Sequence, residues 1–111
     1  MHLTTRFEGS VVVIALDGEL DLTSAPTLRE VLIELFTGGH HRLVVDMTDV
    51  TFVDSTGLGV LVGGLKRATV QDGTLQVVCT EPDVVRIFRM TGLHKLIALH
   101  ETLQEALTSV G

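Results

Sequence analysis

The sequence predicts an α/β fold, a mixed sheet of about five strands with four helices. Short apolar runs alternate along the chain with segments whose apolar residues recur at helical spacing. Strands that alternate with helices favour parallel pairing through right-handed crossovers. Only Gly9-Ser10 joins the first two runs, which fits a tight antiparallel hairpin. The sheet is therefore expected to be mostly parallel with one antiparallel pair, in the order β-β-α-β-α-β-α-β-α, within a single domain of residues 1–111.

The first half of the chain is expected to hold the hairpin, a helix and a buried strand. The hairpin strands are predicted at Leu3–Glu8 and Val11–Leu16. A capping hydroxyl and a first-turn proline in Thr23-Ser24-Ala25-Pro26 predict the start of a helix, and Gly38-Gly39 predict its end. The apolar stripe of this helix consists of Leu28, Val31, Leu32, Leu35 and Phe36. The continuously apolar Leu43–Val45 is typical of a strand covered on both faces.

A second helix is expected to begin near Ser55 or Thr56 and to end before Gln71-Asp72-Gly73. Its inward residues recur at helical spacing and are Leu58, Leu61, Val62 and Leu65. Another buried strand is predicted at Leu75–Cys79.

The last third of the chain predicts two more helices and one more strand. A third helix opens at Pro82 and closes at Gly92, and its apolar residues are Val84, Val85 and Phe88. A short strand is expected at Leu96–Leu99. A final helix is expected at Glu101–Val110, with Leu103, Ala106 and Leu107 facing inward.

Composition excludes several classes of protein. The net charge is −6 and no basic cluster exceeds Lys66-Arg67, which disfavours direct binding of nucleic acid. The longest apolar run, Val11–Leu16, is far below the roughly 20 residues that a membrane span requires. The first residues lack the pattern of a signal peptide, and the single cysteine cannot form an internal disulfide. We therefore expect a soluble, cytoplasmic protein without a membrane partner.

The segment Asp54-Ser55-Thr56-Gly57 lies where a buried strand gives way to a helix, and several roles are open to its serine. The simplest is that Asp54 or Ser55 caps the helix. A hydrolase is disfavoured because Val53 stands where the nucleophile elbow requires its first glycine, and none of the five histidines is marked as a base. A nucleotide loop is disfavoured because Val62 occupies the third glycine position of G-x-G-x-x-G.

Phosphorylation of Ser55 is the alternative with a clear physical mechanism. A hydroxyl at a helix start points outward, and the helix dipole and free N–H groups there tolerate a phosphate. The added charge of about −1.5 to −2 beside Asp54 would disrupt docking of an acidic or apolar partner without unfolding the chain.

Other conspicuous residues are expected to be structural. Gly63-Gly64 are explained by close packing of the helix on a neighbour, Cys79 by a buried strand, and Met90 by a gap in the core. His40-His41 are expected in a solvated turn, since no nearby ligand set suits a metal. Asp46 and Asp49 form paired carboxylates with Asp54 or are ordinary strand-end and turn residues. No catalytic residue, cofactor or metal is predicted.

Three segments resemble the bacterial anti-sigma factor antagonists, which are single STAS domains. These segments are Gly18-Glu19-Leu20-Asp21, Phe52 to Val60 with its Asp-Ser-Thr-Gly-Leu-Gly core, and, more loosely, Val84 to Phe88 with Thr91-Gly92-Leu93. The resemblance in spacing and element order extends over essentially all of the chain, and it implies a STAS-type fold.

The resemblance implies a binding switch rather than an enzyme. Such proteins bind an anti-sigma factor that is also a serine kinase, and this binding frees the sigma factor. The kinase phosphorylates the serine after the aspartate, which is Ser55 here, and a metal-dependent phosphatase reverses this. By the same resemblance, the residues of the partner-binding surface are Asp21, Thr23, Asp54, Ser55, Thr56, Gly57, Leu58 and Gly59. A scaffold or accessory subunit of a stress-signalling or transport complex, and a nucleotide-binding STAS domain, are the alternatives.

Overall fold

The computed structural model of the chain describes residues 1–110 and contains one five-stranded sheet with strand order β1-β2-β3-β4-β5. The strands are β1 (His2–Glu8), β2 (Val11–Leu20), β3 (Arg42–Val53), β4 (Thr74–Val78) and β5 (Leu99–His100). The pair β1–β2 is antiparallel and the other three pairs are parallel. The helices are α1 (Ala25–Thr37), α2 (Ser55–Val70), α3 (Pro82–Met90) and α4 (Leu103–Val110). The predicted α/β class, hairpin and element order are confirmed.

Three helices cover one face of the sheet and one helix covers the other. In β3, Leu43 and Val45 belong to the large core cluster that contains the inward residues of α1, α2 and α3. Val44, between them, packs with Ala106 of α4 in a smaller cluster. Because successive strand side chains point to opposite faces, the sheet is buried on both sides along its central strands. This explains why these strands are continuously apolar.

Strands β2 and β3 are longer than predicted and carry the site. The predicted ends were Leu16 and Val45, but the two strands continue as a parallel pair until Leu20 lies beside Val53. The pairing has register shifts between Ala15 and Asp17 and between Gly18 and Glu19. These shifts accommodate polar residues and glycine, so no apolar run marks the second half of the two strands. Strand β4 pairs only as far as Asp46 of β3, so the ends of β2 and β3 project beyond it.

Several local predictions were wrong near the C-terminal end. The last strand is Leu99–His100, because a 3₁₀ helix at Leu93–Lys95 precedes it and leaves Leu96 64% exposed. The final helix begins at Leu103 rather than Glu101. Met90 is 78% exposed and fills no gap, because α3 buries Val84 and Phe88 and turns Met90 outward.

Of the remaining structural predictions, some are confirmed and others are wrong. Cys79 is buried, as predicted, but it lies directly after β4 rather than within the strand, and burial raises the pKa of its thiol to about 11. His40 and His41 are half-buried rather than solvated, and His40 lies against the ring of Phe7 at 5.2 Å between centroids. The carboxylate of Asp46 accepts from the backbone N–H and hydroxyl of Thr48.

The paired-carboxylate alternative fails on distance. Asp46 and Asp54 are eight residues apart along an extended strand, which at 3.3 Å per residue is roughly 25 Å. Asp49 lies between them and pairs in register with Asp17 of β2. Within residues 1–110, no group of three or more His, Cys, Asp or Glu side chains is arranged to hold a metal ion. No helix of this part of the chain is both long and apolar enough to cross a membrane.

The glycines offer a test of the packing. The close packing predicted for Gly63-Gly64 is wrong at Gly63, where a Cβ would meet no atom within 4 Å, and correct at Gly64, where it would lie 2.8 Å from the side chain of Leu75. A Cβ on Gly73 would lie 1.9 Å from the carbonyl oxygen of His41. We expect Gly73→Ala to lower the free energy of unfolding by about 1–3 kcal/mol or more, since the backbone must move. Gly63→Ala should raise it by up to ~1 kcal/mol through helix propensity. Urea unfolding of both variants measures this, and a shift in the same direction for both would contradict the packing described.

Candidate functional site

One carboxylate joins the start of α2 to the loop that follows β2. Asp54 has an extended backbone, with φ −105° and ψ −177°, and it occupies the cap position before Ser55. Its Oδ1 accepts a hydrogen bond from the N–H of Gly57 at 2.9 Å. Its Oδ2 accepts from the N–H of Leu22 at 2.9 Å, across 32 residues of sequence. Asp54 is therefore the cap, and the interpretation of Ser55 as the cap is wrong.

The loop at residues 20–24 is closed by a second aspartate. Asp21 Oδ1 accepts from the N–H groups of Thr23 and Ser24 at 3.0 and 3.1 Å. The Ser24 N–H and the other donors hold the pKa of the Asp21 carboxyl below its ordinary value. The Ser24 hydroxyl donates to the carbonyl of Glu19 and makes no cap bond to α1, contrary to the prediction from Thr23-Ser24. The loop is thus held in one shape by short-range bonds.

Ser55 is exposed and its hydroxyl has no hydrogen-bond partner in residues 1–110. It is the first residue of α2, directly after the cap. Thr56 is half-buried and lines a groove between α1 and α2, together with Arg29 and Gly59. A hydroxyl in this position is accessible to another protein and takes no part in holding the fold.

Gly57 and Leu58 face inward instead of lining the surface. Both are buried, and a Cβ on Gly57 would lie 2.7 Å from the carbonyl oxygen of Leu20. Glycine is therefore required where the end of β2 meets the first turn of α2. Gly59, two residues further, is exposed and a Cβ there would meet nothing within 4 Å. Gly57 and Leu58 were both expected to contact a partner, but they lie below the surface and can only support it.

The predicted surface residues fall into two groups. The ones that reach the surface at the end of β2 and β3 are Asp21, Thr23, Ser55, Thr56 and Gly59, and we call them the Ser55 surface. Asp54, Gly57 and Leu58 support it from below. The carboxylate of Asp54 links the two groups. The backbone N–H of Asp54 also donates a hydrogen bond to the carbonyl oxygen of Leu20 at 3.2 Å.

Sequence reasoning missed two apolar side chains at this end of the sheet. Leu22 is 71% exposed, and its backbone N–H donates to Asp54. Phe52, two residues before Asp54, is 47% exposed. The signal for Phe52 was available, because strand alternation places it on the face opposite buried Val53. The exposure of Leu22 depends on the loop and had no local signal. Exposed apolar groups beside a polar rim are typical of protein interfaces.

The geometry does not support catalysis at Ser55. No histidine in residues 1–110 hydrogen-bonds to Ser55 or Asp54, and both oxygens of the Asp54 carboxylate are occupied by backbone N–H groups. A serine without an adjacent base is a weak nucleophile.

Comparison with known proteins gives consistent results. The sequence model described as the STAS domain matches residues 2–106. An anti-sigma-B factor antagonist of Staphylococcus epidermidis is 36% identical over 101 residues, which cover 91% of this chain and 94% of that protein. A solved anti-sigma factor antagonist from Mycobacterium paratuberculosis is 30% identical with a TM-score of 0.90, covering 98% of this chain and 92% of its own. The Bacillus cell fate determinant SpoIIAA, solved in its phosphorylated form, has the same fold at 22% identity and a TM-score of 0.78, covering 99% and 100% of the two chains.

The two adjacent residues Asp54 and Ser55 are predicted to differ sharply in their effect on stability. Asp54→Ala removes a helix cap and leaves the Leu22 N–H without its partner, and we expect a loss of about 1–2 kcal/mol. Ser55→Ala removes no hydrogen bond and should change the free energy of unfolding by less than about 0.5 kcal/mol. Chemical denaturation of the two variants beside wild type measures the difference. A Ser55→Ala loss as large as that of Asp54→Ala would show that the serine is the structural cap after all.

Proposed function

The chain belongs to the STAS domain family, and from this premise we propose that it is an anti-sigma factor antagonist switched by phosphorylation of Ser55. In the unphosphorylated form it binds an anti-sigma factor that is also a serine kinase, and this binding frees the sigma factor. The kinase then phosphorylates Ser55, and the complex dissociates. A metal-dependent serine phosphatase removes the phosphoryl group and restores binding. The observation that carries the proposal is the exposed, unbonded hydroxyl of Ser55 at the start of a helix that Asp54 already caps.

The fold can accept a phosphoryl group at this position. The N–H groups of Ser55 and Thr56 have no acceptor within residues 1–110, so the positive end of α2 remains partly unsatisfied. Anions are stabilised at such helix starts by the free N–H groups and the helix dipole. SpoIIAA has the same fold and has been solved in a phosphorylated form, which supports the view that this fold tolerates a phosphoryl group.

The same phosphoryl group changes what the surface can bind. It adds about −1.5 to −2 charges close to the carboxylate of Asp54 and in a chain of net charge −6. It also places a strongly hydrated group next to Asp54, whose carboxylate holds the loop that carries the exposed side chain of Leu22. A partner that buries this apolar residue would have to desolvate the phosphate, which is costly. Loss of binding without unfolding is therefore the expected result.

The residues of the Ser55 surface have separate roles in this proposal. Asp21 and Thr23 present the loop after β2 to the kinase, and Ser55 supplies the hydroxyl that accepts the phosphoryl group. Thr56 and Gly59 continue the contact along α2, where the glycine lets the partner approach the helix backbone closely. The name anti-sigma-B factor antagonist of a relative that matches over 91% of this chain supports the choice of an anti-sigma factor as partner.

We also propose that the protein works in the cytoplasm, where a sigma factor and its kinase meet, and that it has no catalytic activity of its own. Its effect on transcription is then indirect, since an acidic chain without a basic patch is poorly suited to the phosphate backbone of DNA.

Variants of the serine test the switch. Wild type, Ser55→Ala and Ser55→Glu are used as baits in host lysate, with Ser10→Glu as the matched control because Ser10 is exposed in the hairpin turn. We expect wild type, Ser55→Ala and Ser10→Glu to retain an ATP-binding kinase of the anti-sigma type, and Ser55→Glu to bind it at least tenfold more weakly, which is ~1.4 kcal/mol. With ATP, the purified kinase should phosphorylate wild type and release it, while Ser55→Ala stays bound.

Two outcomes would contradict the proposal. If all four baits retain the same proteins with equal affinity, Ser55 is no switch and the chain is a scaffold or accessory subunit. If the kinase modifies Ser55→Ala as fast as wild type, the acceptor is another residue.

A further inference from the structure

A second cleft lies at the carboxyl ends of β4 and β5, against one side of α3. It has a volume of about 620 Å³, within the range of small-molecule sites. Its apolar lining comes from Cys79, Val85 and Leu99, its cationic rim comes from Arg86 and Arg89, and the imidazole of His100 lies beside them. We propose that this cleft binds a small molecule with one negative charge and an aliphatic body, such as a medium-chain carboxylate. The proposal does not depend on the function assigned to Ser55.

The cleft is remote from the Ser55 surface. Val78 at the end of β4 pairs with Asp46 of β3, and Val53 lies seven residues further along that strand. At 3.3 Å per residue this separation is roughly 23 Å. In open α/β sheets, ligands characteristically bind outside the carboxyl ends of parallel strands, which is where this cleft opens.

The cationic rim is built for an anionic head group. Arg89 forms no ion pair in residues 1–110, whereas Arg86 is paired with Asp83. His100 is held by a bond between its Nε2 and the Oε1 of Gln76 at 2.7 Å, and Gln76 in turn donates to the hydroxyl of Ser109 at 3.2 Å. Gln76 is 8% exposed, so this network fixes the imidazole from within the fold. Because the Nε2–H of His100 already donates to Gln76, the free guanidinium of Arg89 supplies the donors for a carboxylate.

The rest of the lining selects an aliphatic body with a single charge. Burial raises the pKa of the Cys79 thiol to about 11, so the thiol is neutral at pH 7 and forms an apolar wall beside Val85 and Leu99. His100 is the one aromatic ring that lines the cleft and no amide side chain does, so the cleft offers few groups that stack on a nucleotide base or read its edge. Glu101 at the rim would repel a multiply charged phosphate chain more strongly than a single carboxylate.

Titration with short amphiphiles tests the inference. The full chain, labelled at its methyl groups, is titrated with sodium octanoate, 1-octanol, inorganic phosphate and ATP while NMR spectra are recorded. We expect octanoate to bind with a Kd of about 1 mM or below, which is reasonable for ten heavy atoms. The methyl groups of Val85 and Leu99 should shift and those of Leu22 should not. Octanol should bind at least fivefold more weakly, and phosphate and ATP should not shift these methyl groups.

Two arginine variants supply the control. Arg89→Gln should weaken octanoate binding at least fivefold, whereas Arg67→Gln, an exposed arginine on α2 outside the cleft, should leave it unchanged. The inference is overturned if octanoate shifts neither Val85 nor Leu99 up to about 5 mM. It is equally overturned if octanol binds as well as octanoate, if both variants lose binding equally, or if ATP occupies the cleft.

Discussion

The structure around Ser55 depends on the two hydrogen bonds accepted by the Asp54 carboxylate. One oxygen takes the N–H of Gly57 in the first turn of α2, and the other takes the N–H of Leu22 in the loop after β2. A helix start and a distant loop are thereby fixed relative to each other by one side chain. Because Asp54 does the capping, the adjacent Ser55 is released from any structural task and can be modified at little cost to the fold.

The sheet provides the frame for this arrangement. Strands β2 and β3 run on beyond β4 and bring Leu20 beside Val53, so both segments of the site emerge from the same end of one strand pair. Close approach of α2 to this end requires a residue without a side chain, and Gly57 meets that need against the carbonyl of Leu20. The same segment thus combines rigidity beneath the surface with an accessible hydroxyl on it. The proposed phosphorylation switch relies on this combination, because it alters binding and preserves the fold.

Much of the fold could be predicted because its signals are local. Apolar periodicity placed all five strands and four helices in order, and Ser55 was expected where a strand gives way to a helix. The bond from Leu22 to Asp54 could not be predicted, since it spans 32 residues and depends on strand register. Exposure of Met90 and Leu96 was missed for a related reason, because an apolar residue in a short element gives no sign of which side the tertiary packing covers.

Amide hydrogen exchange in Asp54→Ala, which removes both acceptor oxygens, tests the central role of this carboxylate most directly. The amides of Leu22 and Gly57 should both lose protection in the variant, while the amide of Leu61 within α2 keeps its wild-type exchange rate. That result would show that one side chain couples the loop to the helix start. Loss of protection at Gly57 alone, with Leu22 unchanged, would contradict the account, because Asp54 would then be a local cap that does not hold the loop.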